Sequence, residues 1–114
     1  ARRVGSPSQV RMSKREHPDA REELRNAANW YDDEQPGLGH DFYDAIDDAL
    51  QHMLDWPFSA PVFPGWQDAP QVRSMRVRVF PYRVLYYVTD TSIVILAYAH
   101  HRRKPGHWQH RLDS

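Results

Sequence analysis

Arginines are the side chains of this sequence best suited to contact a phosphate group. Arg76, Arg78 and Arg83 fall in or beside two segments with the alternation of sheet strands, and Arg102 and Arg103 follow a third. A guanidinium group presents a planar fork of N–H donors that matches two oxygens of a phosphate or carboxylate. If these arginines share one face of a sheet, they would form an anion-binding surface. The alternative is a row of solvated arginines, which we favour more for Arg76 and Arg78 than for Arg83.

Histidines cluster where the last of these segments ends, in the sequence HHRRKPGHWQH. The pKa of an imidazole lies near neutrality, so His100 or His107 could serve as a general acid or base. The alternative is a histidine that packs or hydrogen-bonds at a strand end, which we favour for His101. We expect no metal site, because there is no cysteine and adjacent histidines on a strand point to opposite faces. Three aromatic residues offer rings that could stack on a nucleobase: Tyr87, Tyr98 and Trp108.

The sequence lacks the residues that several other common catalytic centres require. It has no cysteine, which excludes disulfides and thiolate nucleophiles and suits an intracellular protein. It has no glycine-rich phosphate loop, and its acidic residues are spread along the solvated faces of predicted helices. We therefore expect no cofactor, and the arginines and histidines remain the candidates for chemistry.

Charge is separated along the chain, although the formal net charge is +0. Residues 1–15 carry five Lys or Arg and no acid, residues 16–70 carry two Arg against thirteen Asp or Glu, and residues 71–114 carry eight Lys or Arg against two Asp. Such separation predicts two unlike surfaces, of which the basic one could meet phosphates or an acidic partner protein. The alternative is that helices carry acids and strands carry arginines for solubility alone.

Two amphipathic helices are predicted in the acidic part. The first begins at Pro18, a residue that suits the first helical turn, and ends at the Pro-Gly pair at 36–37. The second runs from about Leu38 to Trp56. The short break between them predicts an antiparallel hairpin. The segment 57–70 follows as a loop, since four of its fourteen residues are proline.

Three strands are predicted in the basic part: Arg73–Val79, Tyr82–Thr89 and Ser92–Ala99. Alternation in the first places Val79 on the side that faces the helices, and Arg76 and Arg78 on an uncovered face of the sheet. The turn at Phe80 and Pro81 leaves open whether Arg83 shares that face, because a slip of one residue reverses every side chain.

The predicted architecture is an α+β fold in one domain. We expect an N-terminal edge strand, an antiparallel helical hairpin packed on a short antiparallel sheet, and a short C-terminal helix or tail. Residues 1–9 are predicted to be a flexible tail, and residues 10–112 the single domain. The longest apolar run, Ile93 to Ala99, has seven residues and is too short to cross a bilayer, so we expect no membrane association and a cytoplasmic location.

Three further signals arrive in order along the chain. They are a Pro-Gly-Leu-Gly break between the helices, a Phe-Pro-Tyr-Arg strand opening, and a His-x-Arg-Arg-x-Pro-x-x-Trp ending. Over about residues 10–112 the sequence resembles the RelE/ParE superfamily of toxins from bacterial type II toxin–antitoxin modules. The resemblance implies the α+β fold described above and a cognate antitoxin as partner.

The resemblance also implies roles for particular residues. In RelE-like members, which cut mRNA in the ribosome, strand lysines and arginines and a C-terminal tyrosine act on the scissile phosphate. By position, Arg83 and Arg102 match arginines of that site and Arg76 stands for one strand lysine, whereas Ser74 replaces another lysine and Trp108 replaces the tyrosine. A nuclease would therefore have Arg83, Arg102, Arg76 and a histidine such as His100 as its catalytic residues.

ParE-like members instead poison DNA gyrase, and the Pro-x-x-Trp-x-x-Arg ending is closer to theirs. We expect a growth-inhibiting toxin whose target is gyrase, with Arg78, Arg103, His107 and Trp108 contacting the target or a phosphate. The alternatives are a ribosome-dependent mRNA endoribonuclease and a non-toxic relative that only binds antitoxin.

Overall fold

The computed structural model describes residues 12–104 and 106–113. The predicted tail at 1–9 and the predicted start of the edge strand near residue 10 lie outside the described residues. The elements follow one another as β1 (Ser13–Glu16), α1 (Pro18–Glu34), α2 (Leu38–Asp55), β2 (Arg73–Arg76), β3 (Tyr82–Val88), β4 (Ser92–His100) and a C-terminal 3₁₀ helix (Gln109–Asp113).

The two helices form the predicted hairpin, and local chemistry defines their ends. His17 caps α1, because its Nδ1 accepts a hydrogen bond from the backbone N–H of Asp19 at 3.0 Å. Gly37 takes a positive φ of 91° in the connection. At Gly39 the helices come so close that an added Cβ would lie 2.6 Å from the carbonyl oxygen of Ala28. The Pro-Gly-Leu-Gly break therefore supplies both the turn and the close helix crossing.

The sheet has four strands in the order β1-β4-β3-β2. The edge position of β1 was expected, but β1 runs parallel to β4, so the sheet is mixed. The pairs β2–β3 and β3–β4 are antiparallel, with a shift of register between Leu85 and Tyr86. A parallel neighbour for β1 follows from the long connection through both helices and two strands, which alternation in the sequence does not encode.

The first strand of the basic part is shorter than predicted, ending at Arg76 and not at Val79. Val79 is 84% exposed with φ of 73°, so its predicted core position is wrong. The chain turns early because Phe80 fills that place, packing its ring 5.1 Å from Phe42 and 4.9 Å from Tyr31.

The sheet is covered on both faces. The helices cover one face, where the larger core includes Leu24, Phe42, Ile46 and Tyr86. The other face was expected to be open, and this expectation is wrong: the segment before β2 and the C-terminal segment cover much of it. They form a second core of Val72, Leu85, Leu96, Ala97 and Trp108. The reason is that β3 and β4 carry apolar residues on both faces, which must be buried.

Candidate target and phosphate interface

Arg76 and Arg83 lie side by side on the face of the sheet opposite the helices. They are direct partners across β2 and β3, and Arg83 is in turn paired with Ala99 on β4. Arg83 donates from Nη1 to the Oγ of Ser74 at 3.3 Å. Within residues 12–104 and 106–113, neither arginine has a carboxylate within salt-bridge distance. The open question of the register is thus answered: Arg83 shares the face of Arg76.

A groove of about 440 Å³ begins at Arg83 and continues to the segment after β4. Its floor is apolar and includes Val62, Phe63 and Leu85. We call it the basic groove, after six lining residues that are cationic or can become so: Arg83, His100, His101, Arg103, Lys104 and His107. No acidic residue is found among its lining residues, so the site suits a ligand that carries negative charge.

Arg78 and Arg102 do not join this groove. Arg78 donates from Nε and Nη2 to Asp48 on α2, at 3.0 and 2.6 Å, so its predicted position beside Arg76 on an uncovered face is wrong. The cause is the early end of β2 at Arg76, after which the alternation no longer holds. Arg102 is exposed beyond β4, and its side chain is absent from the groove lining.

His100 is held by its neighbours through one ring nitrogen. Its Nδ1 accepts a hydrogen bond from the backbone N–H of Arg102 at 3.0 Å, and its ring packs edge-on against Tyr82 at 5.2 Å. Burial, then the charges of His101 and Arg102, lower the pKa of His100. A neutral ring in this position carries its hydrogen on Nε2, so the lone pair of Nδ1 is already engaged by the backbone N–H of Arg102. His100 is therefore poorly placed to accept a proton from a substrate.

His107, unlike His100, is engaged at both ring nitrogens. Nε2 lies 3.1 Å from an oxygen of Glu23, and Nδ1 lies 3.3 Å from the carbonyl oxygen of Lys104. Together the two contacts hold the ring between α1 and the segment after β4. The contact joins the wall of the basic groove to α1.

Glu23 is the centre of a buried polar cluster that sequence reasoning missed. Both of its oxygens accept from the guanidinium of Arg111, at 3.0 and 2.9 Å, and one accepts from the backbone N–H of Tyr98 at 3.0 Å. Arg111 also donates to the carbonyl oxygen of Leu96 at 2.8 Å and is only 6% exposed. The cluster fixes the C-terminal segment to α1 and β4. A signal was available in the sequence, since Arg111 ends the Pro-x-x-Trp-x-x-Arg pattern.

Trp108 is part of the interior and has no ring face to offer a ligand. It is 1% exposed and packs edge-on against Phe63 and Trp66, at 5.3 and 5.1 Å between ring centres. The suggestion that Trp108 and Tyr98 stack on bases does not fit these positions, because Tyr98 is buried as well and its hydroxyl donates to Glu16. Trp108 covers the face of the sheet opposite the helices, and Tyr98, on β4, belongs to the core between the sheet and the helices.

Residues 12–104 and 106–113 contain no group of three or more His, Cys, Asp or Glu side chains that could hold a metal ion. In the same part of the chain, no helix has the length and apolar character to cross a membrane.

The fold has a close counterpart among solved structures. A structure described as the chromosomal ParDE TA system from P. aeruginosa superimposes with a TM-score of 0.65 at 18% sequence identity, and the match covers 78% of this chain and 95% of that one. No curated protein matches the chain. At this identity the likeness establishes the fold: two helices on a four-stranded sheet.

A match to a family model identifies the class. Residues 15–105 match the model described as ParE toxin of type II toxin-antitoxin system, parDE. Fold and motifs thus define a toxin of the RelE/ParE superfamily. Within it, the chain belongs to the ParE toxin family.

Proposed function

We propose that this chain arrests bacterial growth by binding DNA gyrase in the cytoplasm, and that a cognate antitoxin neutralises it by covering the basic groove. The observation that carries the choice of target is the state of the two histidines. Acid–base chemistry on RNA requires groups that can take up and release a proton, and family lysine and tyrosine positions hold Ser74 and Trp108 here. His100 and His107 do not replace them well, since the Nδ1 of His100 and both ring nitrogens of His107 are engaged in structural contacts.

The basic groove supports binding in place of catalysis. It combines an apolar floor with cations and has no acid in its lining, which is the composition of a surface that recognises an acidic partner. Arg83 is half-buried at one end of the groove. A negatively charged group of the partner would replace its weak hydrogen bond to Ser74. An antitoxin segment and a gyrase surface would compete for the same cations.

The test is a pair of assays on the purified chain freed of antitoxin. We expect a stoichiometric excess of the chain to inhibit gyrase supercoiling of a relaxed plasmid and to leave mRNA intact on programmed ribosomes. Arg83→Gln should weaken the inhibition, and Arg25→Gln on α1, which removes an exposed arginine far along the chain from the groove, is the matched control. Untouched supercoiling at high excess would rule out gyrase as the target.

A ribosome-dependent endoribonuclease is the second candidate, and one observation favours it. Arg76 and Arg83 stand together without a carboxylate partner in the described part of the chain, and such a pair could stabilise a scissile phosphate. This function would be established if the wild-type chain cleaved mRNA on ribosomes, if Arg83→Gln abolished the cleavage, and if supercoiling were unaffected. Vigorous growth on strong induction without antitoxin would instead indicate a relative that has lost toxicity.

A further inference from the structure

Two of the four tryptophans present their rings to solvent. Trp30 on α1 is 59% exposed and Trp56 at the end of α2 is 64% exposed, whereas Trp66 and Trp108 pack in the second core. The ring of Trp30 meets Tyr31 edge-on, with 5.1 Å between ring centres, and most of its surface is left to water. An aromatic ring in this position supplies a large apolar area for contact with another molecule.

Two carboxylates stand beside the exposed ring of Trp30. Asp33 and Glu34 follow it on α1 at a spacing that places side chains on the same face of a helix. Both are exposed, and within residues 12–104 and 106–113 neither takes part in a salt bridge. They lie in the last turn of α1, which has no basic residue, although the helix dipole disfavours negative charge there. Local helix stability therefore does not explain them. We call Trp30, Asp33 and Glu34 the acidic knob.

The basic groove has the chemistry that complements this knob. Its floor is apolar and includes Phe63 and Leu85, which suits the ring of a tryptophan. Arg103 and Lys104 are exposed in its lining, and in the part of the chain that the structure describes no carboxylate lies within salt-bridge distance of either. A tryptophan ring on this floor would bring the carboxylates beside it to these cations, and such pairing of opposite charges favours association.

The knob of one chain cannot reach the groove of the same chain. The two lie on opposite sides of the sheet, because α1 packs on the larger core and the groove opens over the second core. The other exposed tryptophan, Trp56, matches the groove less well. Close to it in the chain, the guanidinium of Arg73 lies over the ring of Phe58 at 5.2 Å, and this positive charge would be repelled by the groove cations.

We propose that a second copy of this chain docks its acidic knob in the basic groove. The ring of Trp30 lies on the apolar floor, and Asp33 and Glu34 lie against Arg103 and Lys104. One helix end in one groove buries less surface than a standard protein interface, so we expect a dissociation constant on the order of tens of micromolar. At high concentration the free chain then occupies its own groove. This consequence rests on the proposed function of the groove, whereas the contact itself does not.

Sedimentation velocity of the full chain tests the contact. We expect the wild-type chain to self-associate in 0.05 M salt and to dissociate in 0.5 M salt, about tenfold more weakly associated, because ions screen exposed charges. Trp30→Ala should weaken the association by about tenfold or more, as for an aromatic residue at the centre of a contact. Trp56→Ala is the matched control, since it removes an equally exposed ring, and should change the association by less than about threefold.

A mixture of two variants shows whether unlike surfaces meet. Trp30→Ala keeps an intact groove, and the double variant Arg103→Gln and Lys104→Gln keeps an intact knob. We expect each alone to be monomeric and the mixture to form a 1:1 dimer, which also shows that both variants fold.

The inference is overturned if the wild-type chain is monomeric at both salt concentrations, if the two tryptophan variants behave alike, or if the mixture stays monomeric. Inhibition of gyrase by a chain that stays monomeric would overturn it and leave the proposed function standing. Self-association by a chain that leaves gyrase untouched would support the contact and refute the proposed function.

Discussion

At the scale of single residues, neighbours decide which charged groups are available. Arg83 and Arg78 are both arginines of the same strand hairpin, yet Arg78 is bound by the carboxylate of Asp48 and Arg83 donates to the hydroxyl of Ser74. The same distinction applies to the histidines, which are close in sequence but differ in what their ring nitrogens meet. A charged side chain can bind a ligand only if a neighbour in the fold does not already occupy it.

Loss of Arg83 should reduce toxicity more than loss of Arg102. Arg83 lines the basic groove with its guanidinium, whereas the side chain of Arg102 lies outside it. We expect Arg83→Gln to raise the amount of induced protein needed for growth arrest by about tenfold, in line with the loss of one charge-assisted hydrogen bond. Arg102→Gln should change it less than about threefold, as measured by titrated induction with immunoblot quantification. Equal effects would mean that the contact surface lies elsewhere.

His100 should titrate below the ordinary value of 6.5. Burial disfavours the imidazolium, and so do the charges of His101 and Arg102. Because the folded pKa is the lower one, His100 contributes stability above the unfolded value, and this contribution is lost as pH falls through the folded pKa. NMR titration of the ring Hε1 signal measures it directly. In Arg102→Gln the midpoint should move upward, and an unchanged midpoint would exclude Arg102 as a cause.

At the scale of elements, side chains complete hydrogen bonds that strands and helices leave open. β1 pairs with β4 only as far as Ile95. Beyond that residue, Glu23 accepts from the N–H of Tyr98, and Arg111 donates to the carbonyl of Leu96. Both groups come from other elements, α1 and the C-terminal segment, so one ion pair joins three parts of the fold.

Glu23→Gln should destabilise the fold strongly. The change removes the closer of two carboxylate charges at the guanidinium of Arg111 and leaves Asp19, which lies 3.7 Å from Nε. Breaking a buried pair in this way costs about 3 kcal/mol or more. The matched control is Glu22→Gln, which breaks an exposed pair with Arg25 and should leave the free energy of unfolding almost unchanged. Urea denaturation followed by tryptophan fluorescence gives both free energies of unfolding. Similar values for the two variants would show that the Glu23 cluster does not anchor the C-terminal segment.

Gly39→Ala should also destabilise, through the crossing of the helices. A methyl group there would lie 2.6 Å from the backbone oxygen of Ala28, and backbone cannot move aside as a flexible side chain does. We expect a loss of about 1–3 kcal/mol, as for overpacking in a core. Asp44→Ala on the exposed face of α2 is the control and should change stability by less than about 0.5 kcal/mol. A thermal midpoint equal to wild type for Gly39→Ala would mean that the helices separate without cost.

At the scale of the whole molecule, the acidic helices and the basic groove give the two unlike surfaces that the charge distribution predicts. The helical hairpin carries most of the acidic residues on one side of the sheet, and the cations of the groove lie towards the other. The formal charges of the whole chain sum to zero, but the acidic and the basic residues lie on different surfaces. A partner therefore meets the field of one surface and not a neutral protein.

Association with the antitoxin should slow as salt rises. Attraction between the basic groove and an acidic segment speeds the encounter, and ions screen it over about 10 Å at 0.1 M salt. Stopped-flow fluorescence should show an association rate that falls by about tenfold or more between 0.05 and 0.5 M salt, estimated from the usual range of steered association. The variant Arg103→Gln, with one groove cation fewer, should show a smaller dependence. A rate independent of salt would contradict electrostatic steering.

The sequence by itself determined the helical hairpin, the three later strands, the edge position of the first strand and the family. These features depend on local signals: Pro18 at a helix start, the Pro-Gly-Leu-Gly break, alternation from Arg73 onward, and the apolar runs of β3 and β4. It also predicted Arg83 and the histidine-rich ending as candidates for chemistry, and the structure places Arg83, His100 and His107 along one groove. Such signals act over a few residues, so they can be read without knowing what packs against them.

Only the tertiary structure decided which of those residues are available. Trp108 packs against Phe63 and Trp66, Asp48 binds Arg78, and Glu23 binds Arg111. The positions joined by these contacts lie between 30 and 88 residues apart in the chain. The early turn at Val79 also depends on a distant contact, because the ring of Phe80 packs against Phe42 on α2. Contacts of this kind depend on how layers pack, and the energy of packing is set by partners that are distant in sequence.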